Sequence, residues 1–350
     1  MNDSLLSDIN LLKSRVDSAS IPDELKLKVA QMLSRLAHSA QYGVYSQEYE
    51  RISHYIDWVT AVPWGNKSSD TLDLNQARAV MDRHHYGLNQ VKTRLLEYLA
   101  VLKLHQQKGA KSSLARAPII CLVGLVGTGK TTFAYAIAEA LGRKIARIPF
   151  GGMGSARDLR GQSRLHLEAE PGYVIKALVQ AKTGNPVILL DEIDRVGEEA
   201  RADIMGVLVE LLDPEQNHAF VDHYLDYPVN LQDVIFIATA NNTDNLATAV
   251  LDRLEPISMP SYTDEEKITI AKQYLLPRAL AEAGLATGQL TIDEPLWPRI
   301  VRPLGYDAGI RTLERTIKGI TRKVAKLVVE GQAQGVHLTD DNIKEFLPQY

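Results

Sequence analysis

The densest chemistry in this sequence lies in one unbroken string, Gly124, Leu125, Val126, Gly127, Thr128, Gly129, Lys130 and Thr131. It satisfies G-x-x-x-x-G-K-[ST] in full, follows the apolar run Ile119–Val123 and precedes an apolar-periodic stretch beginning at Thr132. The glycines let successive backbone N–H groups turn inward around a phosphate chain, and the helix that starts there adds partial positive charge. Lys130 would reach the β and γ phosphates of a nucleoside triphosphate such as ATP, and Thr131 would offer its hydroxyl to Mg²⁺. The string and Thr132 together form the expected nucleotide-binding segment. A chance glycine-rich turn does not account for the complete string between a strand and a helix.

A second candidate stands at the end of another apolar run, where Val187, Ile188, Leu189 and Leu190 lead to Asp191 and Glu192. Asp191 would hold Mg²⁺ through its water shell, while Glu192 would orient and polarise an attacking water. Isolated Asp-Glu pairs often serve only as solvated partners of a helix N-terminus, but an upstream phosphate loop favours the catalytic reading. A third run ends in Thr239, Ala240 and Asn241. The Asn241 amide could hold the water or the γ phosphate without adding charge, although alone it would read as a turn residue.

These groups need strands to bring them together. Short apolar runs at 119–123, 186–190 and 234–238 alternate with helical patterns, which predicts a mainly parallel sheet covered on both faces. Residues 3–58 space Leu25, Val29, Met32, Leu33 and Leu36 at helical intervals, with Pro22 set to open a helix. Pro63, Trp64 and Gly65 break that pattern, and 66–70 reads as a linker that lets the preceding helix swing. A helical stretch follows over 74–106, interrupted around His85, Tyr86 and Gly87. Beyond Pro256 and Pro260 the strand signals stop, and 264–274, 296–302 and 311–330 read as helices of a closing helical domain.

Composition limits the partners. The 350 residues are 45% hydrophobic and 23% charged, with 39 basic against 43 acidic residues and a formal charge of -4. That is ordinary globular composition, without the positive charge that would draw nucleic acid or an anionic membrane. No apolar run approaches the ~20 residues of a membrane span and residues 1–10 are too polar for a signal peptide, so a cytoplasmic location is expected. The single cysteine, Cys121, lies inside an apolar run and reads as a buried strand thiol.

With these features in place, the chain resembles the AAA+ module of the Lon proteases from about Tyr55 onward. The segments YIDWVTAVPWG from Tyr55, HYGLNQVKTRLLEYLAV from His85, LLDEIDRV from Leu189, ELLDPEQNHAFVDHYLD from Glu210 and AGIRTLER from Ala308 carry the resemblance. It implies a three-layer α/β P-loop domain with a parallel sheet, preceded by a helical segment and followed by a small α-helical lid, with divisions at 1–65, 66–258 and 259–350. It also implies that His85 and Tyr86 wall the adenine pocket, that Asn241 is the sensor-1 residue, Arg253 the arginine finger and Arg311 the sensor-2 residue on the lid. Read without the family, Arg253 would be an ordinary salt-bridge partner of Asp252 or Glu255. The resemblance further implies a homo-hexameric ring in which ATP hydrolysis, with Mg²⁺, pulls polypeptide through a central pore.

Two departures bear on that expectation. The substrate-gripping position, normally aromatic, aliphatic and glycine, reads His166, Leu167 and Glu168, which offers less apolar area and adds charge. Leu125 and Val126 stand where two prolines are usual, and both retain a backbone N–H. The chain ends at Tyr350 near where a Ser-Lys peptidase domain would begin, so peptidase activity is not expected from it. The leading expectation is a protein-unfolding ATPase motor serving proteolysis. A nucleotide-switched assembly or regulatory ATPase that threads nothing stays open, and a DNA-loading ATPase finds no support in the charge.

Overall fold

The computed structural model describes residues 2–41, 47–107, 119–166, 168–302 and 309–347. The chain opens with helices α1 (Asn2–Ser18), α2 (Asp23–Gln41), α3 (Gln47–Ala61), α4 (Leu74–His84) and α5 (Asn89–Gln107). The α/β part follows as β1 (Ile119–Val123), α6 (Lys130–Leu141), β2 (Ile145–Pro149), α7 (Arg157–Arg160), α8 (Tyr173–Ala181), β3 (Val187–Asp191) and α9 (Arg201–Leu212). It continues with β4 (Phe220–Asp222), β5 (Tyr227–Val229), β6 (Ile235–Ala240), α10 (Thr248–Leu251) and β7 (Leu254–Ser258). The last part contains α11 (Asp264–Ile270), α12 (Leu276–Glu282), β8 (Leu290–Ile292), α13 (Trp297–Val301), α14 (Arg311–Val329), β9 (Val336–Leu338) and α15 (Ile343–Phe346).

Among the described residues, five strands form a parallel sheet in the order β2-β3-β6-β1-β7. Every residue of β3 and of β6 is buried, as a sheet covered on both faces requires. Alternation divides the two layers. Ile120, Leu122, Val187 and Leu189 face a core built with α4, α5 and α6, whereas Cys121, Ile188, Leu190 and Phe236 face one built with α8, α9 and the first three helices. Burial pushes the Cys121 thiol up to about 12, the inert strand cysteine expected.

Two strands of this sheet lie outside the runs 119–123, 186–190 and 234–238. β2 is short and alternates buried with exposed residues, so its apolar signal is thin. β7 contains Pro256, which argues against a strand in sequence, but β7 is an edge where a missing N–H costs no ladder bond. The closing region is not wholly helical either, because β8 and β9 pair in parallel beside its helices. The helix expected over 264–274 runs on to Glu282 through a π-turn at Ala271–Leu275. Pro277 lies just beyond that turn and has no N–H to give a standard helical bond, so the widened turn re-registers the ladder ahead of it.

The segment 66–70 is not a free linker. The Asn66 carbonyl accepts from Gly184 N at 2.6 Å, Ser68 exchanges hydrogen bonds with the Asn185 amide at 2.8 Å, and Asp70 receives a two-pronged grip from Arg143 at 2.6 and 2.7 Å. The expectation that the preceding helix swings is therefore corrected, because its exit is hydrogen-bonded to the loop before β3 and to the end of α6. The same helices are also joined to the sheet by a shared core, and the Tyr55 hydroxyl donates to the Leu225 carbonyl at 2.9 Å.

Candidate functional site

Adjacent strands bring the chemistry-bearing residues together. β1, β6 and β3 are neighbours and all run the same way, so their C-terminal ends present Gly124, Asn241 and Asp191 to one crevice. Gly124 N donates to the Ala240 carbonyl at 3.1 Å, which ties the start of the phosphate loop to the end of β6. Gly127 and Gly129 adopt φ of 84° and 94°, a region that a side chain would strain. Gly129 caps α6 without a side chain, leaving the helix N-terminus open to an anion.

Lys130, the first residue of α6, folds over the loop and donates to the Gly124 and Leu125 carbonyls at 2.6 and 3.0 Å and to Asn241 Oδ1 at 3.2 Å. Burial lowers its pKa, and the nearby carboxylates Asp194, Glu192 and Asp191 act in the opposite direction. The Asn241 amide is oriented from both sides, since its Nδ2 donates to Asp194 Oδ2 at 3.2 Å. Asp194 is buried and, among the described residues, its Oδ1 has no hydrogen-bond partner.

Asp191 is saturated on both oxygens. Oδ1 accepts from the Thr239 hydroxyl at 2.6 Å and the Thr131 hydroxyl at 3.3 Å, and Oδ2 accepts from Arg147 Nε and Nη2 at 2.7 and 2.6 Å. Thr239 Oγ1 also accepts from Glu192 N at 2.8 Å, so one hydroxyl aligns both acids. Glu192 adopts a left-handed backbone, φ 58° and ψ 52°, an uncommon conformation for a residue with a side chain. Its carboxylate lies 3.6 Å from Arg195 and beside Gly151, where an added Cβ would meet Glu192 Oε2 at 3.3 Å. The Thr131 hydroxyl and the Asp191 carboxylate form a hard-oxygen pair at the start of α6, a donor set that suits Mg²⁺ with several retained waters.

His85 and Tyr86 face different bodies. The His85 ring stacks on Phe133 of α6 with centroids 3.6 Å apart and planes 13° apart, and an added Cβ on Gly129 would meet its Cε1 at 3.3 Å. The Tyr86 ring leans on Tyr274 in the closing region at 6.4 Å. Burial pushes the His85 pKa from 6.5 to about 4, and its Nε2 has no hydrogen-bond partner among the described residues. The unfolded chain protonates this ring near pH 6.5 while the folded chain resists until about pH 4. The stabilisation is thus complete above the first value and disappears as pH falls toward the second. His85→Gln is expected to flatten the loss of stability across that interval relative to the parent, as measured by the denaturant midpoint at each pH.

The closing region touches the phosphate loop directly. Ile310 N donates to the Gly127 carbonyl at 3.1 Å, and an added Cβ on Gly309 would stand 2.6 Å from Gly127 Cα. Arg311 begins α14 at this contact and lines a cleft of about 400 Å³ with Glu282, Glu314 and Lys318.

Arg253 is not drawn into this constellation. It precedes β7, and Ile119 N donates to its carbonyl at 3.4 Å, so it lies at the end of the sheet opposite Gly124. The five residues of β1 separate the two ends by roughly 16 Å at the usual strand rise. Its ion-pair partner is Asp213 at 2.7 Å, rather than Asp252 or Glu255. His166 and Glu168 are exposed, Leu165 beside them is 88% exposed, and Leu167 lies outside the described residues, as do Ala308 and Tyr350. Sequence reasoning missed Thr239, Arg147 and Asp194. The acid-isoleucine-acid pattern from Glu192 to Asp194 was the available signal for the last of them.

Comparison with known proteins gives two family matches. Residues 120–261 match the family described as ATPase family associated with various cellular activities (AAA), and residues 281–336 match the Lon protease AAA+ ATPase lid domain. The chain is 42% identical over 344 residues to Lon protease of Lawsonia intracellularis, covering 97% of this chain and 40% of that protein. It is 40% identical over 345 residues to Lon protease 2 of Thermus thermophilus, covering 97% and 42%, and 41% identical over 350 residues to Lon protease of Elusimicrobium minutum, covering 99% and 41%. The chain thus spans 40 to 42% of the length of these relatives. Among the described residues, no helix is long and apolar enough to cross a membrane.

Proposed function

Because this chain belongs to the AAA ATPases and carries a lid of the Lon type, we propose that it is the ATP-hydrolysing part of a ring-shaped motor that unfolds and translocates polypeptide for proteolysis. The observation that carries the reading is the hydrogen-bonded series Lys130, Asn241 and Asp194 beside Asp191 and Glu192, at the ends of three neighbouring strands. In this proposal Lys130 binds the β and γ phosphates, and Thr131 with Asp191 holds Mg²⁺, which would neutralise phosphate charge. Glu192 takes a proton from the attacking water, and Asn241 fixes that water or the γ phosphate through its oriented amide. Arg311 reports on the nucleotide from the lid, while His85 and Tyr86 flank the base.

Arg253 acts on the nucleotide of a neighbouring copy. Its separation from its own phosphate loop by the length of β1 supports this, and makes a homo-hexameric ring part of the proposal. The loop at His166, Leu167 and Glu168 is the proposed polypeptide contact, and a cytoplasmic location goes with it. The exposed, charged character of His166 and Glu168 also supports a second reading, a nucleotide-switched assembly whose pore threads nothing.

One pair of measurements separates the two. Solution mass with a slowly hydrolysed ATP analogue is expected to rise to that of a ring, and an unfolded protein is expected to stimulate ATP turnover, more strongly in His166→Tyr. A ring without stimulation in either protein selects the assembly reading. No ring and no ATP turnover would overturn both.

A further inference from the structure

Asp213 occupies a place where its charge is costly. It caps the C-terminus of α9, where a helix exposes partial negative charge and a carboxylate is disfavoured. Its pKa is nevertheless lowered, first by the hydrogen bond from Arg253 and then by the backbone N–H of Glu215. Its two oxygens divide the work. Oδ1 accepts from Glu215 N at 2.9 Å and so builds the turn after the helix. Oδ2 accepts from Arg253 Nη2 at 2.7 Å and from Gln216 Nε2 at 3.0 Å. On the other side of the guanidinium, Nη1 donates to the Ala249 carbonyl at 2.8 Å. Arg253 is thereby fixed at two corners of its fork, in a half-buried position beside the edge strand, and among the described residues the rest of the fork is left for another acceptor.

We infer that Asp213 is a positioning residue that sets the Arg253 guanidinium in advance for the phosphates of a neighbouring copy. The inference rests on the proposed role of Arg253 in trans. A long arginine at a subunit edge samples many rotamers, and a transition state gains from a donor whose position needs no rearrangement. Asp213 supplies that order at the cost of an unfavourable helix terminus, which the Arg253 charge offsets.

The Asp213→Asn variant isolates the effect. Asn retains an oxygen for Glu215 N and keeps the turn, but an amide N–H then faces the Arg253 N–H where an oxygen stood. ATP turnover and the affinity of a slowly hydrolysed ATP analogue would be measured for the parent, Asp213→Asn, Arg253→Ala and the double variant. Asp213→Asn is expected to lower kcat by roughly tenfold with analogue affinity unchanged, and to add nothing in the Arg253→Ala background. Asp213→Glu, which keeps the charge, is expected to recover part of the loss. An unchanged kcat in Asp213→Asn, or an equal further loss in the Arg253→Ala background, would overturn the inference while leaving the trans role of Arg253 intact. Full turnover in Arg253→Ala alone would overturn the trans role, and the inference with it.

Discussion

Glu192→Gln is expected to bind ATP as the parent does and to hydrolyse it roughly a hundredfold or more slowly, the usual contribution of a positioned general base. The reason is local. Glu192 is held in its left-handed backbone by the bond from its N–H to Thr239 Oγ1, which a glutamine retains. The side-chain volume is also preserved beside Gly151, so basicity is what changes. Lys130→Ala should behave differently, losing nucleotide affinity itself, because Lys130 opens α6 and holds its ammonium against the phosphate loop. Equilibrium binding of a fluorescent ATP analogue, followed by single-turnover hydrolysis, separates the two outcomes. Parental turnover in Glu192→Gln would move the water-activating role to another residue.

The second large effect concerns stability. Asp70→Ala is expected to cost about 3–5 kcal/mol, the loss typical when one member of a buried ion pair is removed. Both partners are almost fully shielded, with side chains 1% exposed for Arg143 and 8% for Asp70. The Arg143 Nη1 additionally donates to the carbonyls of Asn185 and Asp233 at 2.9 and 2.6 Å. An apolar pair substituted at both positions would therefore not restore stability, since those two carbonyls would lose their donor. Denaturant unfolding of the single and double variants checks this. A double variant as stable as the parent would show that the two carbonyl contacts contribute little.

The phosphate loop was legible because its chemistry requires a contiguous string, and the acids of β3 because an apolar run ends on them. Arg147 and Thr239 were not, because what brings them to Asp191 is strand pairing. Arg147 comes from β2, whose exposed alternate positions hide it as a strand, and Thr239 is one more buried residue of β6 until its hydroxyl is seen between Asp191 and Glu192. The same limit explains β7, where Pro256 is acceptable only because β1 is its one neighbour in the sheet. The segment at 66–70 reads as polar and loose, yet each of its polar groups that binds Gly184, Asn185 or Arg143 meets a partner more than seventy residues away. Local composition carries no record of such partners.

The bond between Ile310 N and the Gly127 carbonyl also has a mechanical meaning. It is a pivot at the root of a lever, for α14 departs from it as a helix of 19 residues, roughly 28 Å long at the usual rise. A rotation of roughly 10° about that root carries the far end through about 5 Å, close to one helical turn. A change in the phosphate loop the size of a single hydrogen bond would thus reach the far end of α14, at Val329, magnified.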